Sequence, residues 1–374
     1  MKRKIKIGIT VDFNIQFHAN GLQQNIIFLN NLLGNIPNLL PIYIYTGKLP
    51  EVDFILQENC ISYSEFVSHA HNEFDLIIFM GFWLDQKVIK QIKEVNKKIK
   101  ITLMQCGNQF IENSMRVVHY YEKVDYINNP LEGIDAIWML PQHSQNISYM
   151  KTFYRVENIK IAPCIWNPLF IDNQLKSLSL GSENNSSLPL KNKSVVILEP
   201  NLSIIKNCLL PIYIVERYER KYPNILSSCN IMGGKKIVDN HYFLRLILQL
   251  DIYQKRKGFL RAHNRYKFAE TVKLFGSIVV SHQIENDLNY LYFDALYLNL
   301  PLIHNSHTLR NYGYYYPHND IEIASNQLHE IIENHEKNIS EYRIKTKECI
   351  ELYGINNEHN QQEYLKLINE VLNQ

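Results

Sequence analysis

Several motifs that usually announce a nucleotide-dependent enzyme are missing from this sequence. Where a dinucleotide-binding protein carries G-x-G-x-x-G after its first strand, the chain reads His18-Ala19-Asn20-Gly21-Leu22-Gln23-Gln24-Asn25, and no Walker lysine loop occurs. NAD chemistry and P-loop phosphoryl transfer are disfavoured on that ground. The six cysteines, Cys60, Cys106, Cys164, Cys208, Cys229 and Cys349, form no C-x-x-C pair and have no histidine at metal-ligand spacing, so they read as buried, reduced thiols. Long apolar runs are missing too. Nothing approaches the roughly 20 residues that span a bilayer, and the opening MKRKIKIGITVDFN reaches Asp12 before a signal-peptide core could form. A soluble, cytoplasmic protein with no transmembrane segment is expected. Neither sign of charge dominates: Lys+Arg 39 against Asp+Glu 37 gives a formal net charge of +2, which excludes a strongly basic nucleic-acid scaffold and leaves room only for a local basic patch. No internal repeat marks a solenoid or propeller.

What is present is ordinary globular material, 46% hydrophobic and 20% charged over 374 residues, which is more than one core usually serves. Ile5 to Val11 is a β-branched run that reads as a buried parallel strand, and after a glycine loop Ile26, Ile27, Leu29, Leu32 and Leu33 recur at helical spacing. LLPIYIYTG, FDLIIFMGF, KIKITLMQCGN and IDAIWMLPQH continue as strands with helical stretches between them. This alternation predicts a doubly wound α/β domain over 1–170. The Asn- and Ser-rich stretch 171–193 reads as a linker or surface loop, and alternation resumes over 194–325 as a second α/β domain. From 326 to 374 the pattern is helical, capping the second domain, with one helix free to cross back to the first.

Two such domains predict a cleft between facing strand ends as the ligand site. In VVILEPNLSIIKN a strand runs into Glu199-Pro200-Asn201 and a helix is expected near Ser203, which places backbone N–H groups and Lys206 where a phosphate would bind; a capped helix with a solvated lysine is the plainer alternative. In SHQIENDLNYLYFDALYLNLPLIHNS, Asn289, Tyr290, Tyr292 and Asp294 fall at the start of the next helix, where an acidic side chain meets the dipole and can accept ribose hydroxyls. His282 follows an apolar strand and either faces the ligand or is a satisfied core histidine. His304, Asn305, Ser306 and His307 end the following strand, within reach of sugar hydroxyls or phosphate. Arg261, His263 and Arg265 add charge or form a solvated basic face. In the first domain Asp12, Asn20, Gly21, Asn108 and Glu112 lie at or after strand ends, with Asp12 and Glu112 as candidate general bases for an acceptor hydroxyl, set against turn capping and a solvated helix position.

FDALYLNLPLIHNS resembles the donor-site segment of GT-B glycosyltransferases. The resemblance implies that Asp294 binds the ribose of a nucleotide-sugar; the second Glu that a subset of that family places eight positions earlier is here Asn286, with Glu285 beside it. NGLQQN at Asn20 to Asn25, IWNP at Ile165 to Pro168, EPN at Glu199 to Asn201, SHQ at Ser281 to Gln283, NYLYFDALYLNLPLIHNS and GYYYP at Gly313 to Pro317 together resemble the signature of an uncharacterised bacterial glycosyltransferase-like family. In that family an aromatic residue stands where this chain has His18, which weakens His18 as a catalytic candidate.

The resemblance implies a GT-B-like fold of two Rossmann-like domains facing across a cleft, with C-terminal helices. It also implies transfer of a sugar from a nucleotide-sugar co-substrate with Asp294 on the donor side, where the strand exits read above also place Glu199, Asn201, Lys206, His282 and Asn286. GT-B enzymes commonly stabilise the diphosphate leaving group with helix dipoles and basic side chains, and the sequence has no D-x-D triplet, so no metal and no further cofactor is expected. The acceptor is expected to be a glycan or lipid-linked glycan in bacterial surface polysaccharide synthesis. A non-catalytic nucleotide- or sugar-binding protein of the same fold and a glycosyltransferase acting on modified DNA are the alternatives.

Overall fold

The computed structural model describes residues 3–17, 21–118, 132–179 and 193–373. The chain divides into two compact units, one comprising Met1–Asn167 with Tyr353–Gln374 and the other Pro168–Leu352.

The first unit holds strands β1 (Ile5–Asp12), β2 (Leu39–Thr46), β3 (Cys60–Ser62), β4 (Leu76–Phe79), β5 (Lys100–Gln105), β6 (Ala136–Met139) and β7 (Ile159–Ile161). They pair in parallel in the order β3-β2-β1-β4-β5-β6-β7. Helices cover both faces of such a sheet, so β1 buries Ile7, Ile9 and Val11 on one side and Thr10 on the other. The helix Gly21–Gly34 buries all five of its periodic apolar residues. Phe66, Phe74, Ile77, Phe79, Leu103 and Ile137 are central to the core of this unit.

Sequence order reverses between β1 and β4. There the Thr10 hydroxyl donates to the Phe82 carbonyl at 2.8 Å and accepts from the Met80 N–H at 2.9 Å. Gly81 follows, and a Cβ on it would lie 2.7 Å from Val11 Cα and 2.8 Å from Asp12 N, so only glycine lets β4 leave the sheet this close to β1.

The second unit holds β8 (Ser194–Ile197), β9 (Ser228–Ile231), β10 (Leu260–Ala262), β11 (Ile278–Val280), β12 (Leu302–His304) and β13 (Tyr314–Tyr315), also parallel, in the order β10-β9-β8-β11-β12-β13. Its switch point lies between β8 and β11. Val195, Ile197, Ile212, Val215, Tyr218, Ile231, Ile278 and Ile303 are central to its core.

Three boundaries differ from the sequence expectation. The stretch read as a linker from 171 begins inside a helix, Leu169–Ser177, that buries Phe170, Ile171 and Leu175; its Gln174 side chain accepts from the Ala269 N–H and its Asp172 from the Tyr297 hydroxyl. Of the rest of that stretch, 180–192 lie outside the described residues. The helix expected from Ser203 starts at Leu209, because Asn201 adopts a left-handed backbone (φ 54°), its N–H donates to the Lys206 carbonyl, and its side-chain oxygen accepts from the Cys208 N–H. Residues 202–206 are thereby held as a tight turn. The C-terminal helices begin at Ile321, capped by Asp320, rather than at 326. The last of them, Glu358–Leu372, belongs to the first unit, where the Tyr364 hydroxyl donates to the Pro163 carbonyl. No helix among the described residues is long and apolar enough to cross a membrane.

Candidate functional site

In a parallel α/β sheet the chain ends on either side of a switch point diverge, leaving a crevice at the carboxyl ends of the strands. In the second unit β8 delivers Glu199 there and β11 delivers Ser281, His282 and Gln283. Glu199 is fully buried. The Ser281 hydroxyl donates to its Oε1, the Gln283 side-chain amide approaches Oε2 at 3.4 Å, and the His282 N–H also donates to the carboxylate. Burial raises its pKa to about 7 against these donors and against the charge of Lys206, which pull it down.

Lys206 closes the 202–206 turn. Its backbone forms a bridge with Gln283, and the Ile284 N–H donates to the Ile205 carbonyl, so this turn and the 281–286 turn are laced together. Asn305 fixes the second turn from β12: its side-chain oxygen accepts from the Gln283 N–H at 2.9 Å and its amide donates to the Gln283 carbonyl at 2.7 Å. Gln283 in turn accepts from the Asn286 amide. Glu199, Lys206, Gln283, Asn286 and Asn305 thus form one connected set.

The histidines divide sharply. His304 is fully buried; its Nε2–H donates to the Tyr312 carbonyl at 2.7 Å and its Nδ1 accepts from the Ser306 N–H at 3.2 Å, which leaves neither ring nitrogen for a ligand. The Ser306 hydroxyl accepts from the Leu309 N–H. His282 Nδ1 lies 3.0 Å from the Tyr316 hydroxyl, and that hydroxyl donates to the Ser281 carbonyl at 3.0 Å. Tyr316 has a single proton to give, so His282 donates from Nδ1 and keeps the lone pair on Nε2. Desolvation lowers the pKa of both His282 and His304 to about 4, so both are neutral at neutral pH. His307 is exposed, beside Arg310 and Tyr315.

Asn289 caps the helix Tyr290–Tyr297, accepting from the Leu291 N–H. Tyr290 therefore opens the helix and Asp294, half-buried, is its fifth residue. The expectation that Asp294 sits at the helix start is corrected by that cap: the dipole of the first turn acts on Tyr290 and its neighbours. Glu285 is exposed with a left-handed backbone (φ 48°). His263 contacts the buried Asn230 side chain at 3.0 Å and the ring of Phe275, while Arg261, in the middle of β10, and Arg265, in the loop after it, are exposed.

In the first unit Asp12 ends β1, and its Oδ1 accepts from the Asn14 N–H, the Asn14 side-chain amide and the Thr46 hydroxyl. Asn108 is buried at the start of the helix Gln109–Val118, where its side-chain oxygen accepts from the Ile111 N–H and the Asn146 amide. Glu112, exposed in the first turn of that helix, folds back so that its Oε1 would lie 2.9 Å from a Cβ on Gly107. Its charge acts on Tyr154, whose hydroxyl approaches Gln109. Gly21 is the exposed first residue of its helix, and Asn20 and His18 lie outside the described residues. Ser281, Gln283 and Tyr316 complete the second-unit set although none stood out as a ligand candidate; membership of the SHQ and GYYYP segments was the available signal.

Three solved structures share this architecture. A glycosyltransferase from Rickettsia africae matches with TM-score 0.54 and 12% identity over 99% of each chain. Anabaena HepE in complex with UDP-glucose matches with TM-score 0.55 and 12% identity over 97% of this chain and 99% of that one. The alpha,alpha-trehalose 6-phosphate synthase of Burkholderia multivorans matches with TM-score 0.57 and 10% identity over 98% and 99%. The fold is that of the GT-B glycosyltransferases: two parallel-sheet α/β domains with helices at the C-terminus. By sequence the chain belongs to DUF2827, a family described as proteins of unknown function, whose model matches residues 7–368. None of the curated proteins compared with it matches.

Proposed function

We propose that this protein is a glycosyltransferase that draws a sugar from a nucleotide-sugar and passes it to a glycan acceptor of the bacterial surface. The observation that carries this reading is the connected set at the β8/β11 switch point, where a lysine on a rigid turn stands beside amide groups at the crevice in which α/β sheets bind nucleotides. UDP-glucose bound to HepE, a protein of the same fold, supports a nucleotide-sugar as the donor class.

Cleavage of the glycosidic bond leaves negative charge on the departing diphosphate. Lys206 is assigned to stabilise that charge, with no resident metal required. Asn286 has an amide suited to sugar hydroxyls, and Asp294 a carboxylate suited to ribose. Asp12 and Glu112 are the acceptor-side carboxylates assigned as general-base candidates, and Glu112, exposed in the first turn of its helix, is the one tested first.

The test is a nucleotide-sugar binding and hydrolysis assay on the full chain. Lys206→Ala should weaken nucleoside diphosphate binding roughly tenfold to a hundredfold, about 1.5–3 kcal/mol. Glu112→Gln should lower turnover by about 10²–10⁴-fold with binding nearly intact, and EDTA should leave turnover unchanged. Binding with no turnover on any donor would mark a non-catalytic binder, and equal affinity in Lys206→Ala would remove the site.

A further inference from the structure

We propose that Glu199 is the positioning carboxylate of the donor site: it locks the Lys206 turn against the 281–286 turn, and it takes up a proton when a donor diphosphate engages Lys206. This rests on the donor-site reading above and adds to it a coupling between ligand charge and a buried acid.

The geometry makes Glu199 the hub. It is fully buried, yet its donors come from three consecutive residues of a different strand exit, the Ser281 hydroxyl, the His282 N–H and the Gln283 amide. Through Gln283 it reaches Asn286 and Asn305, and through the Lys206–Gln283 bridge it reaches the lysine backbone. Moving the carboxylate therefore moves the Lys206 turn together with Asn286 and Asn305.

Titratable groups face Glu199 from several elements. Lys206 on the 202–206 turn acts on Glu199 as a cation. Cys208 at the next helix start, Tyr292 on the helix after the 281–286 turn and Tyr316 after β13 also feel Glu199, and burial pushes all three toward their neutral, protonated forms. His282 is held neutral by desolvation. Asp287, just after the 281–286 turn, is a second carboxylate of this region, acting on Tyr292 and His304.

A diphosphate bound at Lys206 adds negative charge on the side from which the carboxylate is stabilised. Glu199 then faces a more negative potential in a medium that already disfavours its charged form, and it binds a proton from solvent. No covalent bond changes. Its bond to Ser281 survives with the direction reversed, because the serine hydroxyl, which also lies 3.1 Å from the Tyr292 hydroxyl, can accept as readily as donate. Glu199 ionises around pH 7, so the exchange falls within the neutral range.

The experiment is calorimetric titration of the full chain with UDP-glucose, and with GDP- and ADP-sugars in parallel, in two neutral buffers of different ionisation enthalpy. The diphosphate diester of these probes has no phosphate group titrating near neutrality, so any proton exchanged belongs to the protein. Uptake of roughly half a proton per ligand near pH 7, and an affinity that falls about tenfold between pH 6.5 and 8.5, are expected for the wild type. Glu199→Gln should bind with no uptake and with affinity independent of pH. Binding without uptake in the wild type, a measurement that needs no variant, overturns the coupling and leaves the donor site standing. Uptake that persists in Glu199→Gln assigns the proton elsewhere and overturns it too. If none of the nucleotide-sugars binds, the donor-site reading fails and this proposal fails with it.

Discussion

His304 and Glu199 sit a few strands apart in one sheet, and burial sets them opposite demands. The imidazole is neutral because desolvation lowers its pKa to about 4, and protonating Nδ1 would turn the bond from the Ser306 N–H into a clash of two donors. A histidine of the unfolded chain takes its proton near its ordinary value of about 6.5, so below that pH the unfolded state binds the extra proton. The stability His304 contributes is complete above about pH 6.5 and is lost as pH falls through about 4. At about 1.4 kcal/mol per pH unit, that is about 2 kcal/mol between pH 6.5 and 5. His282 acts with the same sign. Glu199 acts with the other: its raised pKa gives stability that is complete below the ordinary carboxylate range and is lost as pH rises through about 7. Urea unfolding of wild type and His304→Gln at pH 7 and pH 5 checks the histidine share. The variant should start less stable and lose about 2 kcal/mol less on acidification; an equal loss in both proteins would refute this account of His304.

Strands and helices meet at glycines whose tolerance differs with what surrounds them. At Gly81 an added Cβ meets the backbone of Val11 and Asp12 below 3 Å, and backbone in the middle of a parallel sheet cannot give way. Gly34, in the last turn of its helix, would meet only Pro41 Cγ at 3.8 Å. Gly81→Ala should therefore cost about 1–3 kcal/mol, while Gly34→Ala changes stability by no more than about 1 kcal/mol. Thermal denaturation of the two variants checks the contrast, and equal midpoints would count against a β1–β4 crossing that depends on glycine. Elements of this kind were legible wherever local pattern decides them. The β-branched run at Ile5–Val11 and the helical spacing of Ile26, Ile27, Leu29, Leu32 and Leu33 each identified their element. The helix Leu169–Ser177 was hidden because a short apolar set runs into an Asn- and Ser-rich tail. The turn at 202–206 was hidden for a different reason: it depends on the left-handed Asn201 and a side-chain bond to Cys208, which read locally as a helix start. Glu199 and Lys206 were legible as a strand exit followed by a cation. Their partners Ser281 and Gln283 were not, since they meet Glu199 across 82 and 84 residues of sequence and no local periodicity carries that pairing.

At the scale of the whole chain, the return of the last helix makes the first unit discontinuous. Its 167 N-terminal residues are joined by Tyr353–Gln374, with the whole second unit inserted between them. The returning helix buries Tyr364, Leu367, Ile368 and Val371, and the Tyr364 ring packs edge-on against Trp138, itself fully buried in β6. Trp166 lies in the same region, its backbone N–H donating to the Tyr353 carbonyl. Four buried apolar side chains contribute roughly 1.5–3 kcal/mol each, a sum comparable with the 5–15 kcal/mol or so that holds a typical domain folded. A chain ending at residue 355 should therefore lose the first unit. The second keeps every strand of its sheet and both helices, Ile321–Asn334 and Ile339–Tyr353, that precede the cut. The three tryptophans, Trp83, Trp138 and Trp166, all lie in the first unit, so their emission reports on that unit alone. On truncation the emission should move to that of the denaturant-unfolded protein while far-UV circular dichroism retains a helical signal with its own cooperative transition. Native tryptophan emission in the truncated chain would show that the first unit stands without its C-terminal helix.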